Sequence, residues 1–372
     1  MRRQVEIGPL TVGGGAPVRV ESMLKVPLSD RGACLDQCRS LLEEGCELAR
    51  VALPTAADAE GLAWLLPRTE LPLMADIHFD PALALAAMDA GCRSIRINPG
   101  NMPLGRLNEM IRAAKDAGVV IRIGANGGSL SGRQLEEAGG DRAAALFLAV
   151  REQAELLLEN GFEDIILSAK SSSVPETVRA NLLIARAYPD FPLHVGLTEA
   201  GPGDGGIVKS TAGIASLLAQ GVGDTLRVSL TDRPEREVRV GYEILKALHL
   251  RSRGVNLVSC PTCGRRRADV MRLVALIEPM LKDLPDGTSV AVMGCEVNGP
   301  KEAKHARLGI AGTPAGAVLF REGRVVGEYP FEELPEVLPR FFREAGPNGP
   351  GDPGDDEASR GAGHRDRTPV YK

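Results

Sequence analysis

The sequence is poor in the features that mark several large classes of protein. It has one Trp and four Tyr, and aromatic residues make up 3% of the chain, which argues against platforms that stack nucleic-acid bases. No apolar run approaches the roughly 20 residues that span a bilayer, and the start MRRQVEIGPL has no apolar signal core. A formal net charge of −5 disfavours a general nucleic-acid binder. We therefore expect neither a membrane nor a nucleic-acid partner.

A disulfide framework is also missing. The seven cysteines are an odd number without regular spacing, which favours a reducing, cytoplasmic setting with thiolates available for metal. Cys34, Cys38, Cys46 and Cys92 fall within periodic apolar segments. We predict that these four are small core residues rather than metal ligands.

The chain instead shows a regular alternation of strand and helix patterns. Its composition, 44% apolar and 25% charged, is typical of a soluble globular protein. Its 372 residues leave room for one large and one small domain, or for two to three average ones. Short β-rich runs alternate with helical segments, several of which end in Gly. The predicted strands are 18–23, 46–53, 71–79, 92–98, 119–126, 164–170, 192–199 and 225–230.

Eight such units at a spacing of roughly 30 residues predict an α/β fold, a (β/α)8 TIM barrel over residues 1–250. A doubly wound open sheet is the alternative. The glycine-rich segment 12–17 precedes the first strand, and no Gly-x-Gly-x-x-Gly turn follows that strand. The barrel is therefore the favoured interpretation.

The pattern changes after residue 258. A helix is predicted over 268–284, a strand over 289–294, and a hairpin from 316–320 and 324–329. We interpret residues 259–345 as a small α+β domain. Residues 346–372 are rich in Gly, Pro and charge, and we predict a disordered tail.

Polar side chains mark the ends of the predicted barrel strands, where barrel enzymes place their chemistry. Clustered Lys and Arg residues suit an anion with more than one phosphate or carboxylate. The alternative is that some arginines pack inside the barrel or pair with carboxylates. The candidates are Ser22, Arg50, Asp76, His78, Arg96, Asn98, Arg122, Asn126, Lys170, His194, Glu199, Arg227 and Ser229, with Lys209 just beyond Glu199.

A Cys-x-x-Cys pair, Cys260 and Cys263, opens the small domain, and Cys295 follows an apolar strand in the same domain. A thioredoxin-like dithiol would need a βαβ context that this segment lacks. Zinc could take the three cysteines with His305, and a [4Fe–4S] cluster with one non-cysteine ligand fits the spacing equally well. The spacing leaves these two alternatives open.

Seven segments in order resemble the bacterial 4-hydroxy-3-methylbut-2-enyl diphosphate synthase family of the methylerythritol phosphate route to isoprenoids. The resemblance runs from about residue 2 to 343, and the segments together are very specific although each is weak or moderate alone. They are ADIHFD, IRINPGN, IRIGANGGSL, GLTEAG, GDTLRVSLT, SCPTCGR and GCEVNGPKEA.

The resemblance implies a [4Fe–4S] cluster on Cys260, Cys263 and Cys295 with Glu302 as the fourth ligand. It implies reductive ring opening of 2-C-methyl-D-erythritol 2,4-cyclodiphosphate to 4-hydroxy-3-methylbut-2-enyl diphosphate. Electrons would come from reduced flavodoxin or ferredoxin, in a homodimer whose cluster domain caps the partner's barrel. We predict Glu302 and Glu199 as catalytic residues and the other strand-end residues, with the exception of Ser22, as substrate-binding.

The chain departs from the family pattern in three places. In the segment SMLKVPL, residues 22–28, Leu-Lys-Val follows Ser-Met, where Thr-Asn-Thr is common in the family. The serines at 171–173 stand where an acidic residue is usual, and Lys301 replaces a common Gly. Two alternatives stay open: a phosphate- or pteridine-binding barrel transferase with a structural zinc domain, and a non-catalytic zinc-binding interaction protein.

Overall fold

A computed structural model of the chain describes residues 2–77, 80–97, 104–264, 266–295 and 306–345. The chain divides into two compact units, Met1–Arg251 and Ser252–Lys372. Several sites named in the sequence analysis fall outside the described residues: His78, Asn98, Lys301, Glu302, His305 and the tail 346–372. Among the described residues, no helix combines the length and the apolar character needed to cross a membrane.

The first unit contains an 8-stranded parallel sheet in the order β8-β7-β6-β5-β4-β3-β10-β9. A bridge between Leu167 and Leu193 brings the two end strands together, so the sheet curls into a nearly closed barrel. The predicted TIM barrel is thus confirmed. Its strands are β3 (Arg19–Met23), β4 (Leu48–Ala52), β5 (Leu73–Asp76), β6 (Ser94–Ile97), β7 (Val120–Asn126), β8 (Ile165–Lys170), β9 (His194–Val195) and β10 (Thr225–Leu226).

Helices surround the barrel, and local side-chain caps begin several of them. Asp30 accepts a hydrogen bond from the Ala33 backbone N–H, and Asp141 accepts from two N–H groups of the next helix. The helices are α1 (Arg31–Glu43), α2 (Ala56–Leu65), α3 (Pro81–Asp89), α4 (Leu104–Ala117), α5 (Gly132–Glu137), α6 (Arg142–Glu159), α7 (Val174–Ala187), α8 (Gly203–Leu218) and α9 (Pro234–Ala247).

The four cysteines of this unit are buried in the core between strands and helices, as predicted. Burial raises the pKa of Cys38 to about 11 and that of Cys46 to about 12. Both are therefore neutral thiols at neutral pH, which suits packing rather than metal binding.

A hairpin that the sequence analysis did not predict precedes the barrel, formed by β1 (Gln4–Ile7) and β2 (Leu10–Gly13). Its apolar side chains pack against Leu48, Val120 and other residues near the N-terminal ends of barrel strands. The hairpin covers that end, which leaves the C-terminal ends of the strands for function.

The second unit is built on a 5-stranded mixed sheet in the order β11-β12-β13-β14-β15. Strands β11, β12 and β13 run parallel to one another, and β14 runs antiparallel to both of its neighbours, β13 and β15. The sequence analysis did not predict strand β11, most of which precedes residue 259, where the predicted small domain begins. The elements are β11 (Asn256–Ser259), α10 (Val270–Ile277), β12 (Ser289–Met293), β13 (Leu308–Gly312), β14 (Gly316–Arg321), β15 (Arg324–Pro330) and α11 (Leu334–Arg343).

Candidate active site in the barrel

Asp76, the last residue of β5, is shared by two arginines from the neighbouring strands. Arg96 Nη1 lies 3.1 Å from Asp76 Oδ1, and Arg50 Nε lies 3.3 Å from Oδ2. Arg96 also donates through Nη2 to the Gly124 carbonyl at 3.0 Å. A Cβ at Gly124 would come within 2.7 Å of Arg96 Nε, so the absence of a side chain there makes room for the guanidinium.

A second buried cluster centres on Glu21 of β3, which is 1% exposed. Its Oε2 accepts a hydrogen bond from Arg122 Nη1 at 2.5 Å, and its Oε1 lies 3.4 Å from His194 Nδ1. The same Nδ1 is 2.7 Å from Thr225 Oγ1, and His194 Nε2 is 2.7 Å from Lys170 Nζ. One chain of contacts therefore runs from Arg122 through Glu21 and His194 to Lys170.

Burial and neighbouring charges set the ionisation of this cluster. Burial raises the pKa of Glu21, but Arg122 and His194 outweigh it and hold the pKa below its usual value. Burial lowers the pKa of His194, and it lowers the pKa of Lys170 with help from Arg122 and two further arginines. Glu21 is thus a carboxylate, whereas burial favours the neutral forms of His194 and Lys170.

A third cluster lies where α9 packs against β3, around the fully buried Glu237. Arg227 Nη2 is 3.3 Å from its Oε2, and Lys25 Nζ is 2.9 Å from its Oε1. The Ser22 hydroxyl and the Leu230 backbone N–H also donate to this carboxylate. Glu237 therefore fixes the chain that leaves β10 and the chain that leaves β3.

The three clusters influence one another electrostatically. Burial lowers the pKa of Arg50 to about 9 against the raising effect of Asp76, and Arg227, Arg122 and Arg96 lower it further. Arg50 still carries its charge at neutral pH. The three clusters contain three negative charges and five positive ones. The negative charges are on Asp76, Glu21 and Glu237, and the positive charges are on Arg50, Arg96, Arg122, Arg227 and Lys25. Positive charges are therefore in excess within these three clusters, which suits an anion.

Four other predicted residues lie outside these ion-pair clusters. Asn126 ends β7 beside Lys170 in the register of β7 and β8, and Ser229 is half-buried beyond β10. Glu199 is exposed in the loop after β9, with a left-handed φ of 54°. Lys209 is exposed on α8 rather than at a strand end, because that helix begins at Gly203.

Sequence analysis missed two carboxylates, the Lys25 partner of one of them, and the Thr225 partner of His194. Glu21 sits inside a buried strand and Glu237 on the buried face of α9, and an acidic residue in such a position is a signal that could have found both. Lys25 and Thr225 gave no comparable signal, because their contacts depend on how distant strands meet.

The second unit places two of the predicted metal ligands on neighbouring parallel strands. Cys260 directly follows β11, and Cys295 follows β12 after Gly294. The Gly294 N–H donates to Cys260 Sγ at 3.3 Å, and a Cβ at Gly294 would lie 3.3 Å from that sulfur and 2.7 Å from Val270.

Cys263 is exposed. Within the described ranges, no three His, Cys, Asp or Glu side chains converge to hold a metal ion, and the segment 296–305 lies outside them. Sulfur donors at the ends of neighbouring strands suit iron–sulfur chemistry.

Comparison with known proteins identifies the family. Residues 2–242 match the GcpE TIM-barrel domain, and residues 256–344 match the GcpE protein C-terminal domain. Relatives named 4-hydroxy-3-methylbut-2-en-1-yl diphosphate synthase (flavodoxin) include one from Geobacter sulfurreducens, 45% identical over 90% of this chain and 95% of its own length. One from Salinispora arenicola is 45% identical over 90% of this chain and 86% of its own length. The resemblance found in the sequence is confirmed, and the chain belongs to the GcpE family.

Proposed function

We propose that this chain is an oxidoreductase of isoprenoid biosynthesis that opens 2-C-methyl-D-erythritol 2,4-cyclodiphosphate reductively to 4-hydroxy-3-methylbut-2-enyl diphosphate. The reaction takes up two electrons and two protons and releases water. The observation that carries the proposal is the family match across both units of the chain. The excess of positive charge in the three barrel clusters supports it, because a cyclic diphosphate is a compact, multiply charged anion.

The barrel residues would bind and orient the diphosphate. Arg50, Arg96 and Arg122 are held by buried carboxylates, so their guanidinium groups are already in place before an anion arrives. Fixed donors of this kind lose little freedom on binding and can stabilise negative charge as it develops on a leaving oxygen. We propose the strand-end residues other than Ser22, including His78 and Asn98, together with Lys209, as the substrate site, and Glu199 as a catalytic residue.

The residues proposed to hold a [4Fe–4S] cluster are Cys260, Cys263, Cys295 and Glu302. When bound, such a cluster supplies electrons one at a time, which protein side chains cannot do. A carboxylate is a harder donor than a thiolate, so we propose Glu302 as an exchangeable ligand. The alternative of a barrel transferase with a structural zinc domain is not favoured by the family match.

The names of the relatives specify flavodoxin. We propose reduced flavodoxin, or a ferredoxin in its place, as the electron donor, a cytoplasmic location and a homodimer as the active unit.

The test is anaerobic iron and sulfide analysis combined with turnover of the cyclodiphosphate by the reduced protein. We expect iron and acid-labile sulfide in equal amounts, the broad visible absorbance of an iron–sulfur cluster, and formation of the open diphosphate. Stoichiometric zinc with no turnover would contradict the proposal and support the transferase alternative. Glu302→Ala should lower both iron content and turnover, and wild-type values of both in this variant would contradict the assignment of Glu302.

A further inference from the structure

Lys170 is a buried amine whose neighbour is another base. It is 7% exposed, and its Nζ lies 2.7 Å from His194 Nε2. Within the described part of the chain, it forms no ion pair with a carboxylate at 4.0 Å or less. A hydrogen bond between two basic nitrogen atoms needs one proton between them. Because His194 Nδ1 faces a hydroxyl and a carboxylate oxygen, we assign the imidazole hydrogen to Nδ1, which leaves Nε2 to accept from Nζ.

Glu21 and Thr225 face that Nδ1 atom. Thr225 Oγ1 lies 2.7 Å away and Glu21 Oε1 lies 3.4 Å away. Glu21 Oε1 is a buried oxygen with no hydrogen-bond partner in the described residues, whereas Oε2 is occupied by Arg122. The carboxylate thus holds Arg122 directly, and its second oxygen lies toward the hydrogen of His194.

The charges that face Lys170 come from several strands. Arg122 of β7, Arg50 of β4 and Arg227 beyond β10 disfavour a further positive charge, and Glu21 of β3 is the anion that favours it. Burial is the largest cause of the lowered pKa of Lys170, ahead of these arginines. An incoming diphosphate would reverse this balance, because it brings negative charge among these cations.

We propose that Glu21 is a positioning residue that orients His194 and Arg122, and that binding of a diphosphate in the barrel takes up a proton from solvent at Lys170. The inference rests on the proposed function for the location of the anion. Lys170 would donate through a neutral amine to His194 in the free protein and through an ammonium group to phosphate oxygen in the complex. The imidazole would hold the amine in place before the anion arrives.

The pH dependence follows from the sign of this change. A nearby anion raises the pKa of Lys170, so between its pKa in the free protein and its pKa in the complex each binding event adds about one proton. In that window the dissociation constant should rise by up to about tenfold for each unit increase in pH. At lower pH, where Lys170 is already protonated, this dependence should vanish.

Isothermal titration calorimetry of the full-length holoenzyme tests the inference. Inorganic pyrophosphate and the cyclodiphosphate are each titrated at one pH in buffers of different ionisation enthalpy, from which the number of protons taken up is obtained. Wild-type protein should take up about one proton for each anion bound, and Lys170→Gln should bind more weakly with that uptake lost. Lys115→Gln, an exposed lysine of α4 whose Nζ donates to the Asn160 carbonyl, is the matched control and should keep the uptake.

Two variants of Glu21 separate positioning from simple packing. Glu21→Gln removes the charge that favours protonation of Lys170, so the rise of the dissociation constant with pH should begin at lower pH than in the wild type. Glu21→Asp keeps the charge and should return this pH dependence toward that of the wild type. Binding to wild-type protein without proton uptake, or an unchanged profile in Glu21→Gln, would overturn the inference and leave the proposed function intact. Failure of both anions to bind would overturn the proposed function and this inference together.

Discussion

Replacement of Arg96 by Met tests the arginine–carboxylate cluster around Asp76. Arg96 is 4% exposed, and its guanidinium makes two contacts, 3.1 Å to Asp76 Oδ1 and 3.0 Å to the Gly124 carbonyl. Met keeps an unbranched side chain but removes the charge and both donors. Asp76 then retains Arg50, whose Nε lies 3.3 Å from Oδ2.

Two effects of different size are expected. Removing one partner of a buried ion pair costs about 3–5 kcal/mol of the free energy of unfolding, and the remaining Arg50 contact places this change near 3 kcal/mol. For a unit of this size each kcal/mol lowers the melting temperature by roughly 2–4 °C, so we expect a decrease of roughly 6–12 °C. Losing one charge-assisted contact to the diphosphate costs about 1.5–3 kcal/mol, which weakens binding roughly 10- to 150-fold.

Thermal unfolding without ligand and calorimetric titration with the cyclodiphosphate measure the two effects separately. The double variant Arg96→Met with Asp76→Asn should recover part of the melting temperature, because no buried carboxylate loses a partner, but should not recover affinity. Arg133→Met is the control, since this exposed arginine pairs with Glu137 and Glu152 at the surface and should cost less than about 1 kcal/mol. Wild-type affinity in folded Arg96→Met would refute the role of Arg96 in substrate binding, and an unchanged melting temperature would refute the buried-pair argument.

Three further predictions concern the barrel, the thiols and the assembly. Gly124→Ala should displace the Arg96 guanidinium, because the new Cβ would lie 2.7 Å from Nε, and calorimetry should show weaker anion binding; equal affinity would contradict the close approach. Cys260→Ser should lower the iron and sulfide content. Cys38→Ala, a change at a buried thiol of α1, should lower the melting temperature and keep the iron. Loss of iron in both variants would contradict the assignment of Cys260 to the cluster and of Cys38 to the core. Mixing Cys295→Ser with Arg96→Met subunits should restore part of the turnover if the homodimer combines units of two chains, and no recovery despite demonstrated subunit exchange would contradict it.

The sequence by itself determined the order of the elements and the class of the fold. The predicted strand 92–98 contains the observed Ser94–Ile97, and 119–126 contains Val120–Asn126. The four cysteines of the periodic apolar segments, Cys34, Cys38, Cys46 and Cys92, are buried as predicted. These features were predictable because side-chain periodicity and helix stop signals are local, and each can be detected within a few residues of the chain.

The tertiary structure decided which charges meet. Arg122 and Glu21 are 101 residues apart in sequence, and Lys25 and Glu237 are 212 apart, so no local pattern could pair them. The sequence analysis left open whether the basic side chains bind an anion or pair with carboxylates, and the structure shows several of them held by buried carboxylates. Strands β9 and β10 are each two residues long, which leaves Glu199, Arg227 and Ser229 in loops beyond them. The register in which the parallel strands close into a barrel brings these distant residues together, and that register depends on packing of the whole unit.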